Sequence, residues 1–340
     1  MTRRRRWVVG TILAALVAGA AGAYAWKRWW AWRSPEHWPS SAGEYEGPLT
    51  RHVSKYDPSR GAPSRPWTDP ARAAPAPLKY RAYAASSLNG AMTDYLIYLP
   101  PGYDDPANAT RRYPVIYWFH GWRSAPEHGA VFAETLDAAV RAGKAPPMIA
   151  VLPNGLEDSW FVDSTDGRQP VEQIILRDLI PHVDATYRTI AGRDGRATEG
   201  FSMGGWAAVH LAVKHPDVFC AATVVSAPFH AAHSFPQLPP IFSGDGPAYS
   251  AEDPVVRLRR EGATLKGRIR LRMIAAEADF HTHFMREVHE RLKTWEFPHE
   301  FVVVPGVKVH ADAPIYEKLG ARAFAFYGDV FGRRDASAVR

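Results

Sequence analysis

The chain has 340 residues, of which 46% are hydrophobic and 22% are charged, a composition typical of one large globular domain with additional segments. Its formal charge of +6 is unevenly distributed, because residues 1–80 contain 13 Lys and Arg against 5 Asp and Glu, whereas residues 81–340 contain 28 against 30. The body therefore gives no indication of nucleic-acid binding. A single cysteine, Cys220, excludes an internal disulfide, and the absence of any Cys/His zinc spacing predicts no metal.

The N-terminal segment is predicted to be a membrane element. Arg3 to Arg6 precede twenty uncharged residues, Trp7 to Trp26, which as a helix would extend about 30 Å, the thickness of a bilayer core. Arginines on one flank place that flank in the cytoplasm and the body outside. Residues 1–33 are therefore expected to be a transmembrane anchor or a cleaved signal peptide, with the body membrane-anchored and extracytoplasmic, or secreted.

The next segment has the composition of a linker. Residues 34–77 contain nine prolines and little apolar periodicity, so they are expected to form an extended connection without a core of its own. The catalytic domain is expected to occupy residues 78–335.

From Leu78 onward, predicted strands alternate with predicted helices. The strands are 95–99, 113–119, 148–152, the strand before Ser202, 221–226, 270–275 and 300–304; the helices are 131–142, 171–180, 206–215 and 284–295. Pro181 is expected to end the second of these helices. This alternation predicts an α/β fold with a mostly parallel, doubly wound sheet, and ligands in such sheets bind beyond the carboxyl ends of the strands.

The most informative motif lies in Glu199-Gly-Phe-Ser-Met-Gly-Gly205. Gly200, Ser202 and Gly204 match the G-x-S-x-G nucleophile elbow, a strand-to-helix turn that holds a serine in strained backbone geometry. The residues before it, Arg196 to Glu199, are less apolar than a buried strand usually is. Glu199 would need a polar partner in such a strand.

A serine hydroxyl needs a base to take its proton and an acid to orient that base. The sequence supplies both in the chain order Ser, acid, His, which is the order in α/β-hydrolases. Ser202 is the predicted nucleophile, Asp279 the orienting carboxylate and His310 the general base and acid. The alternatives are Glu277 or Asp312 for the carboxylate and His281 or His283 for the imidazole.

Two backbone N–H groups are needed for the oxyanion that forms during acyl transfer. Met203, directly after the nucleophile, and Trp122, in the loop after the strand 113–119, are the predicted donors. Gly121 would allow this loop to approach the substrate closely. His120 could be a second base, but the sequence favours a structural role in which its side chain holds the loop by hydrogen bonds.

Four segments together resemble the Putative esterase family of α/β-hydrolases, which includes esterase D, feruloyl esterases and the secreted mycolyltransferases. They are Tyr98–Tyr103, Tyr113–Gly121, Asp178–Arg188 and Gly200–Gly205. The resemblance covers about residues 78–330 and implies an α/β-hydrolase fold with the triad and oxyanion residues named above. It also implies that Trp160 and Asp163 either line the pocket or have a structural role. One departure is that three residues separate Gly306 from His310, whereas the family often places its histidine directly after glycine.

These observations predict a serine esterase that cleaves a small-molecule or glycan ester through an acyl-enzyme, without metal or organic cofactor. Residues 227–267 are expected to form a cap over the acyl pocket. The alternatives are an acyltransferase of the mycolyltransferase type acting on envelope sugars, a non-catalytic binding protein, and a metal site on Asp279, His281 and His283.

Overall fold

The computed structural model describes residues 66–229 and 250–332. Within this part, eight strands form one sheet with the order β1-β2-β4-β3-β5-β6-β7-β8. The strands are β1 Lys79–Ala84, β2 Met92–Tyr98, β3 Val115–Phe119, β4 Ile149–Pro153, β5 Arg196–Phe201, β6 Ala221–Val225, β7 Arg270–Ala276 and β8 His299–Val304.

The sheet is mostly parallel. Strands β3 to β8 pair in parallel, whereas β1 pairs antiparallel with β2 and β2 antiparallel with β4. Parallel strands must be connected by crossovers, so their carboxyl ends meet at one edge of the sheet. The predicted α/β class and parallel sheet are therefore confirmed, and this edge is where polar loops from β3, β5, β7 and β8 converge.

Helices cover both faces of the sheet. The described helices are α1 Ala130–Arg141, α2 Val171–Gln173, a π-helical segment Ile174–Leu179, α3 Ile180–Thr186, α4 Met203–Lys214, α5 Pro254–Leu265, α6 Thr282–Thr294, α7 Ala313–Leu319 and α8 Ala325–Gly332. One apolar core lies between the sheet and α4, α5 and α6, and a second lies between the sheet and α1, α7 and α8. The sheet is thus doubly wound, as predicted.

The prediction that Pro181 ends a helix was wrong. The helical run continues through Pro181 to Thr186, because a π-helical segment, Ile174–Leu179, lies directly before it. Pro181 is the second residue of α3, and the Ile180 amide before it donates to the Ile175 carbonyl five residues back, which is the π-helical spacing.

Several described elements were not predicted. These are β1, α5, α7 and α8. Helix α5 lies within the stretch predicted as a cap, but its Val255 and Leu258 are buried in the same core as α4. Residues 230–249 of the predicted cap lie outside the described residues.

Much of the N-terminal prediction also lies outside the described residues, including the anchor or signal segment 1–33. Among residues 66–229 and 250–332, no helix combines the length and apolar character that a membrane span needs. The described end of the expected linker, residues 66–77, contacts the body. There the guanidinium of Arg72 lies 2.7 Å from the Glu127 carboxylate and 3.3 Å from that of Asp94.

Candidate active site

Ser202 occupies a sharp turn between β5 and α4. Its φ of 57° and ψ of −121° lie outside the regions that side chains ordinarily allow, which is the strain expected of a nucleophile elbow. The turn is closed by backbone contacts: a Cβ on Gly204 would lie 2.0 Å from the Phe119 carbonyl oxygen, and one on Gly200 would lie 2.2 Å from the Gly204 oxygen. Both positions therefore require glycine.

The three predicted catalytic side chains form one hydrogen-bonded chain. The Ser202 hydroxyl lies 2.9 Å from Nε2 of His310, and Nδ1 of His310 lies 2.7 Å from Oδ2 of Asp279. The other carboxylate oxygen of Asp279 accepts a 2.8 Å hydrogen bond from the His281 amide. The Asp279 side chain is fully buried, whereas that of His310 is 21% exposed. This arrangement can move a proton from the serine to the imidazole while the carboxylate orients the ring.

The alternative carboxylates have other partners. Glu277 accepts a 2.8 Å hydrogen bond from the Gly306 amide and thereby ties the loop after β7 to the loop after β8. Asp312 accepts a 2.9 Å bond from the Ala313 amide at the start of α7. Although three residues separate Gly306 from His310, the imidazole still lies within hydrogen-bonding distance of the Ser202 hydroxyl.

The alternative histidines also have other contacts. The exposed ring of His283 lies 3.2 Å from Glu287, one turn further along α6, so His283 does not join Asp279 in a metal site. The ring of His281 is buried and packs edge-on against His310, with 4.7 Å between centroids.

The loop after β3 approaches the nucleophile closely. A Cβ on Gly121 would lie 3.4 Å from the Cβ of Ser202, so Gly121 allows this backbone to pass beside the reacting oxygen. Among the residues that the structure describes, no backbone carbonyl accepts a hydrogen bond from the Trp122 or Met203 amide. Within this part of the chain, neither amide thus has a backbone acceptor that would compete with an oxyanion, and their role as donors stays a prediction.

His120 holds this loop. Its Nδ1 lies 2.9 Å from the Gly121 carbonyl oxygen, and the Gly155 amide donates to its Nε2 at 3.4 Å. Burial lowers the pKa of His120 to about 4. A neutral side chain with both ring nitrogens engaged is unsuited to act as a second base, which agrees with the structural role that the sequence favours.

Trp160 and Asp163 lie in the segment after β4. Trp160 is buried and packs edge-on against Trp206 in the first turn of α4, with 5.3 Å between centroids. Asp163 accepts hydrogen bonds from the backbone and side-chain amides of Gln173 at 3.1 and 2.9 Å. These contacts favour the structural alternative for both residues.

Two nearby residues were missed from the sequence. Asp158 accepts hydrogen bonds from the side chains of Trp122 and Trp160, and burial raises its pKa to about 6. Phe280 is 63% exposed, and its ring lies 4.7 Å from that of His310. The only available signal for Phe280 was its position directly after Asp279, since an apolar residue in a loop has no periodicity to reveal it.

Three exposed apolar side chains belong to the loops that carry the site. They are Trp122, Phe280 and Val309, each directly next in sequence to a residue of the site. Their exposed fractions are 38%, 63% and 55%, and Met92 is the only other exposed large hydrophobic residue in the described part of the chain. An exposed apolar side chain beside a reactive centre, as Phe280 is beside His310, is suited to binding an apolar portion of a substrate.

One group in the described part of the chain has metal-ligand geometry. Ligand atoms of Glu172, His210 and Glu252 lie within 4.8 Å of one another. The Lys214 ammonium, however, lies 3.0 Å from Glu172 and 2.6 Å from Glu252. It neutralises the carboxylates where a cation would bind, so this cluster is an ion-pair network that joins α4 to its neighbours.

Comparison with a family model gives a match over residues 85–307, which is most of the chain; the family is described as Putative esterase. An esterase of Mycobacterium tuberculosis strain H37Rv is 37% identical over 129 residues, covering 37% of this chain and 27% of the relative. An endo-1,4-beta-xylanase/feruloyl esterase of Xylanibacter ruminicola is 31% identical over 141 residues, covering 39% of this chain and 19% of the relative. The matched region thus spans about a quarter or less of these curated relatives.

Solved structures share the fold over nearly their whole length. A ferulic acid esterase superimposes with a TM-score of 0.63 at 22% identity, covering 75% of this chain and 98% of that protein. An S-formylglutathione hydrolase from Staphylococcus aureus gives a TM-score of 0.59 at 17% identity, covering 73% and 98% respectively. The α/β-hydrolase architecture is therefore common to this chain and these enzymes.

Proposed function

This chain belongs to the Putative esterase family, and from that premise we propose that it hydrolyses carboxylic esters with Ser202, His310 and Asp279 as its catalytic triad. The observation that carries the proposal is the unbroken hydrogen-bonded chain from the Ser202 hydroxyl through the His310 ring to the buried Asp279 carboxylate. This order of groups is what acyl transfer by a serine requires.

The proposed reaction has two halves. Nε2 of His310 takes the Ser202 proton as the oxygen attacks the ester carbonyl, and Asp279 stays ionised and stabilises the imidazolium. The Trp122 and Met203 amides hold the oxyanion. The imidazolium then protonates the leaving alcohol, and an acyl-serine remains. In the second half, His310 activates a water molecule, which releases the acid and regenerates the serine.

The proposed substrate is a small ester with an apolar or aromatic portion, which the exposed side chains of Trp122, Phe280 and Val309 in the loops of the site support. Feruloyl esters are a first choice, since a curated relative is named as a feruloyl esterase. The full chain should be assayed with methyl ferulate, p-nitrophenyl esters of graded chain length and S-formylglutathione. Release of free acid, rather than of a new ester when an alcohol is added, distinguishes hydrolysis from acyl transfer.

Active-site labelling gives a second test. A fluorophosphonate probe should label the wild-type chain at Ser202, because such probes react with a serine that a neighbouring base activates. Labelling at another residue, or none in a chain that hydrolyses esters, would contradict the assignment.

The location of the enzyme is also a proposal. Arg3 to Arg6 followed by the uncharged stretch Trp7–Trp26 support export of the body, with or without a retained anchor. Cell fractionation combined with protease treatment of intact cells tests this. A body that resists the protease and is recovered in the cytoplasmic fraction would overturn the proposal.

A further inference from the structure

His120 connects two loops at the carboxyl edge of the sheet. It directly follows β3 and is 1% exposed, and its ring packs edge-on against Phe161 with 5.1 Å between centroids. One ring nitrogen faces the Gly121 carbonyl oxygen and the other faces the Gly155 amide, at the distances given above. The ring therefore has a fixed orientation between the loop after β3 and the loop after β4.

These two partners select one tautomer. A carbonyl oxygen only accepts, so Nδ1 must carry the proton that it donates to Gly121. A backbone amide only donates, so Nε2 must be unprotonated to accept from Gly155. A neutral imidazole protonated on Nδ1 satisfies both contacts. The lowered pKa of His120, which results from burial, keeps this neutral form in place at neutral pH.

The Gly121 carbonyl belongs to the same peptide unit as the Trp122 amide. A peptide unit is planar and trans, so its C=O and N–H point in opposite directions. The carbonyl also accepts a 3.2 Å hydrogen bond from the Ser124 amide. Whatever holds this carbonyl therefore also sets the direction of the Trp122 N–H, which is one of the two expected oxyanion donors.

We propose that His120 is a positioning residue for ester hydrolysis: its Nδ1–H holds the Gly121 carbonyl and thereby aims the Trp122 N–H at the oxyanion. The inference rests on the proposed function, because it assigns a cause to one part of the proposed oxyanion hole. The contact between His120 and the Gly155 amide has a separate role, which is to hold the loop after β4 against the His120 ring.

Two substitutions separate these roles. In His120→Asn, the side-chain amide reaches the position of Nδ1 and can still donate to Gly121. In His120→Gln, the amide reaches the position of Nε2 and can still accept from Gly155, but the donor to Gly121 is lost. We expect His120→Asn to keep kcat within about 3-fold of wild type, and His120→Gln to lower kcat roughly 10- to 100-fold, somewhat less than the loss of a whole oxyanion donor. KM should change little in either variant.

Binding of a tetrahedral analogue gives a second measurement, which would not change if the role of His120 were merely structural. The inhibition constant of an aryl boronic acid should weaken in His120→Gln by about the same factor as kcat/KM, and should stay near wild type in His120→Asn. If both variants lose kcat equally, or if only KM changes, the positioning role is overturned. Loss of activity in Ser202→Ala together with equal behaviour of the two His120 variants would refute this inference but leave the proposed function intact. Retained activity in Ser202→Ala would refute the proposed function itself.

A measurement on the unmodified chain covers the case in which the variants do not fold. Nitrogen-15 chemical shifts of His120 should report a neutral ring protonated on Nδ1 at pH 7. A ring protonated on Nε2, or on both nitrogens, would overturn the proposal.

Discussion

Strand β5 leads to two polar centres that differ in their access to solvent. Beyond its carboxyl end, Ser202 joins His310 and Asp279, and the imidazole is 21% exposed. Three residues before Ser202, Glu199 is fully buried and accepts hydrogen bonds from Tyr316 at 2.7 Å and Tyr327 at 2.6 Å. The first centre can exchange protons with a substrate, whereas the second is sealed beneath α7 and α8.

The difference teaches what a buried carboxylate does in each place. Asp279 faces the His310 imidazole, and in the proposed mechanism ionised Asp279 stabilises the charge that develops on that ring. Glu199 faces two phenols that stay neutral, and burial raises its pKa to about 7. In the proposed mechanism the carboxylate orients a base at the first centre, whereas at the second it fills a polar gap between the sheet and two helices.

The largest effect is expected at the nucleophile. Ser202→Ala should lower kcat at least about 10⁴-fold, because no other group supplies the attacking oxygen, while thermal unfolding should change little. Ester hydrolysis and circular dichroism measure the two quantities. The matched control is Ser226→Ala, since Ser226 is a buried serine directly after β6 whose hydroxyl has no hydrogen-bond partner among the described residues. Retained activity in Ser202→Ala would mean that the centre at Ser202 is not the site of ester hydrolysis.

The orienting carboxylate should come next. Asp279→Asn should lower kcat about 10³- to 10⁴-fold, because an amide can hold His310 in the wrong tautomer. Asp312→Asn is the control: Asp312 is the N-cap residue that precedes α7, and asparagine is an equally good N-cap residue. Steady-state kinetics of the two variants compare the two candidate acids directly. A large loss in Asp312→Asn with little in Asp279→Asn would assign the role to the other acid.

A third prediction concerns the turn that separates the two centres. Gly204→Ala should reduce the free energy of unfolding by more than about 3 kcal/mol, because the new Cβ would lie 2.0 Å from a backbone oxygen that cannot move away easily. Gly262→Ala in α5 should instead stabilise by about 0.5–1 kcal/mol, because its nearest neighbour, Phe297, would lie 3.8 Å from the new Cβ.

Urea titrations of both glycine variants provide the comparison. A Gly204→Ala variant as stable and as active as wild type would mean that the backbone at the elbow is looser than the contacts indicate.

The smallest expected effect is a pH dependence of stability at the sealed centre. The folded pKa of Glu199 is raised from 4.5 to about 7, so the folded state binds more protons than the unfolded state between these values. The resulting stability is fully present below about pH 4.5 and is lost as the pH rises through 7. The loss should be on the order of 3 kcal/mol, from about 1.4 kcal/mol per unit of pKa.

Glu199→Gln should abolish this slope, because the amide mimics the neutral carboxyl group and keeps partners for both phenols. The free energy of unfolding, measured in urea at several pH values from 5 to 8, tests it. Glu300→Gln on β8 is the control, since the Glu300 side chain is 47% exposed and should leave the slope unchanged. A wild-type chain whose stability is flat over this range would contradict the assignment.

The sequence was sufficient for the parallel sheet and for the residues that now lie together at its edge. The glycine-flanked turn around Ser202 and apolar runs such as β4 and β6 are local features of the sequence. Local features can be recognised without knowledge of the three-dimensional structure. The elements that were missed depend on distant partners. Strand β1 has mostly exposed side chains and is defined by its pairing with β2. Helix α8 is defined by its packing on the core and on Glu199 of β5.

The polar pairings could not have been predicted from the sequence. Glu199 is 117 and 128 residues away from its two tyrosines, and nothing in the local pattern specifies such contacts. The link between His120 and Gly155 likewise requires the loops after β3 and β4 to be neighbours, which follows from the strand order rather than from either loop. The continuation of the helix through Pro181 depended on a π-helical segment, which has no distinct sequence signature.

The position of Tyr327 has a consequence for protein engineering. The family match ends at residue 307. A protein shortened there would lack His310 and would also lose both tyrosines that cover the Glu199 carboxyl group. A truncation at residue 324 would keep the imidazole and still remove one of the two phenols that Glu199 needs. Shortened versions for crystallisation or fusion should therefore retain the chain through Gly332, even though its last helix is far in sequence from the elbow.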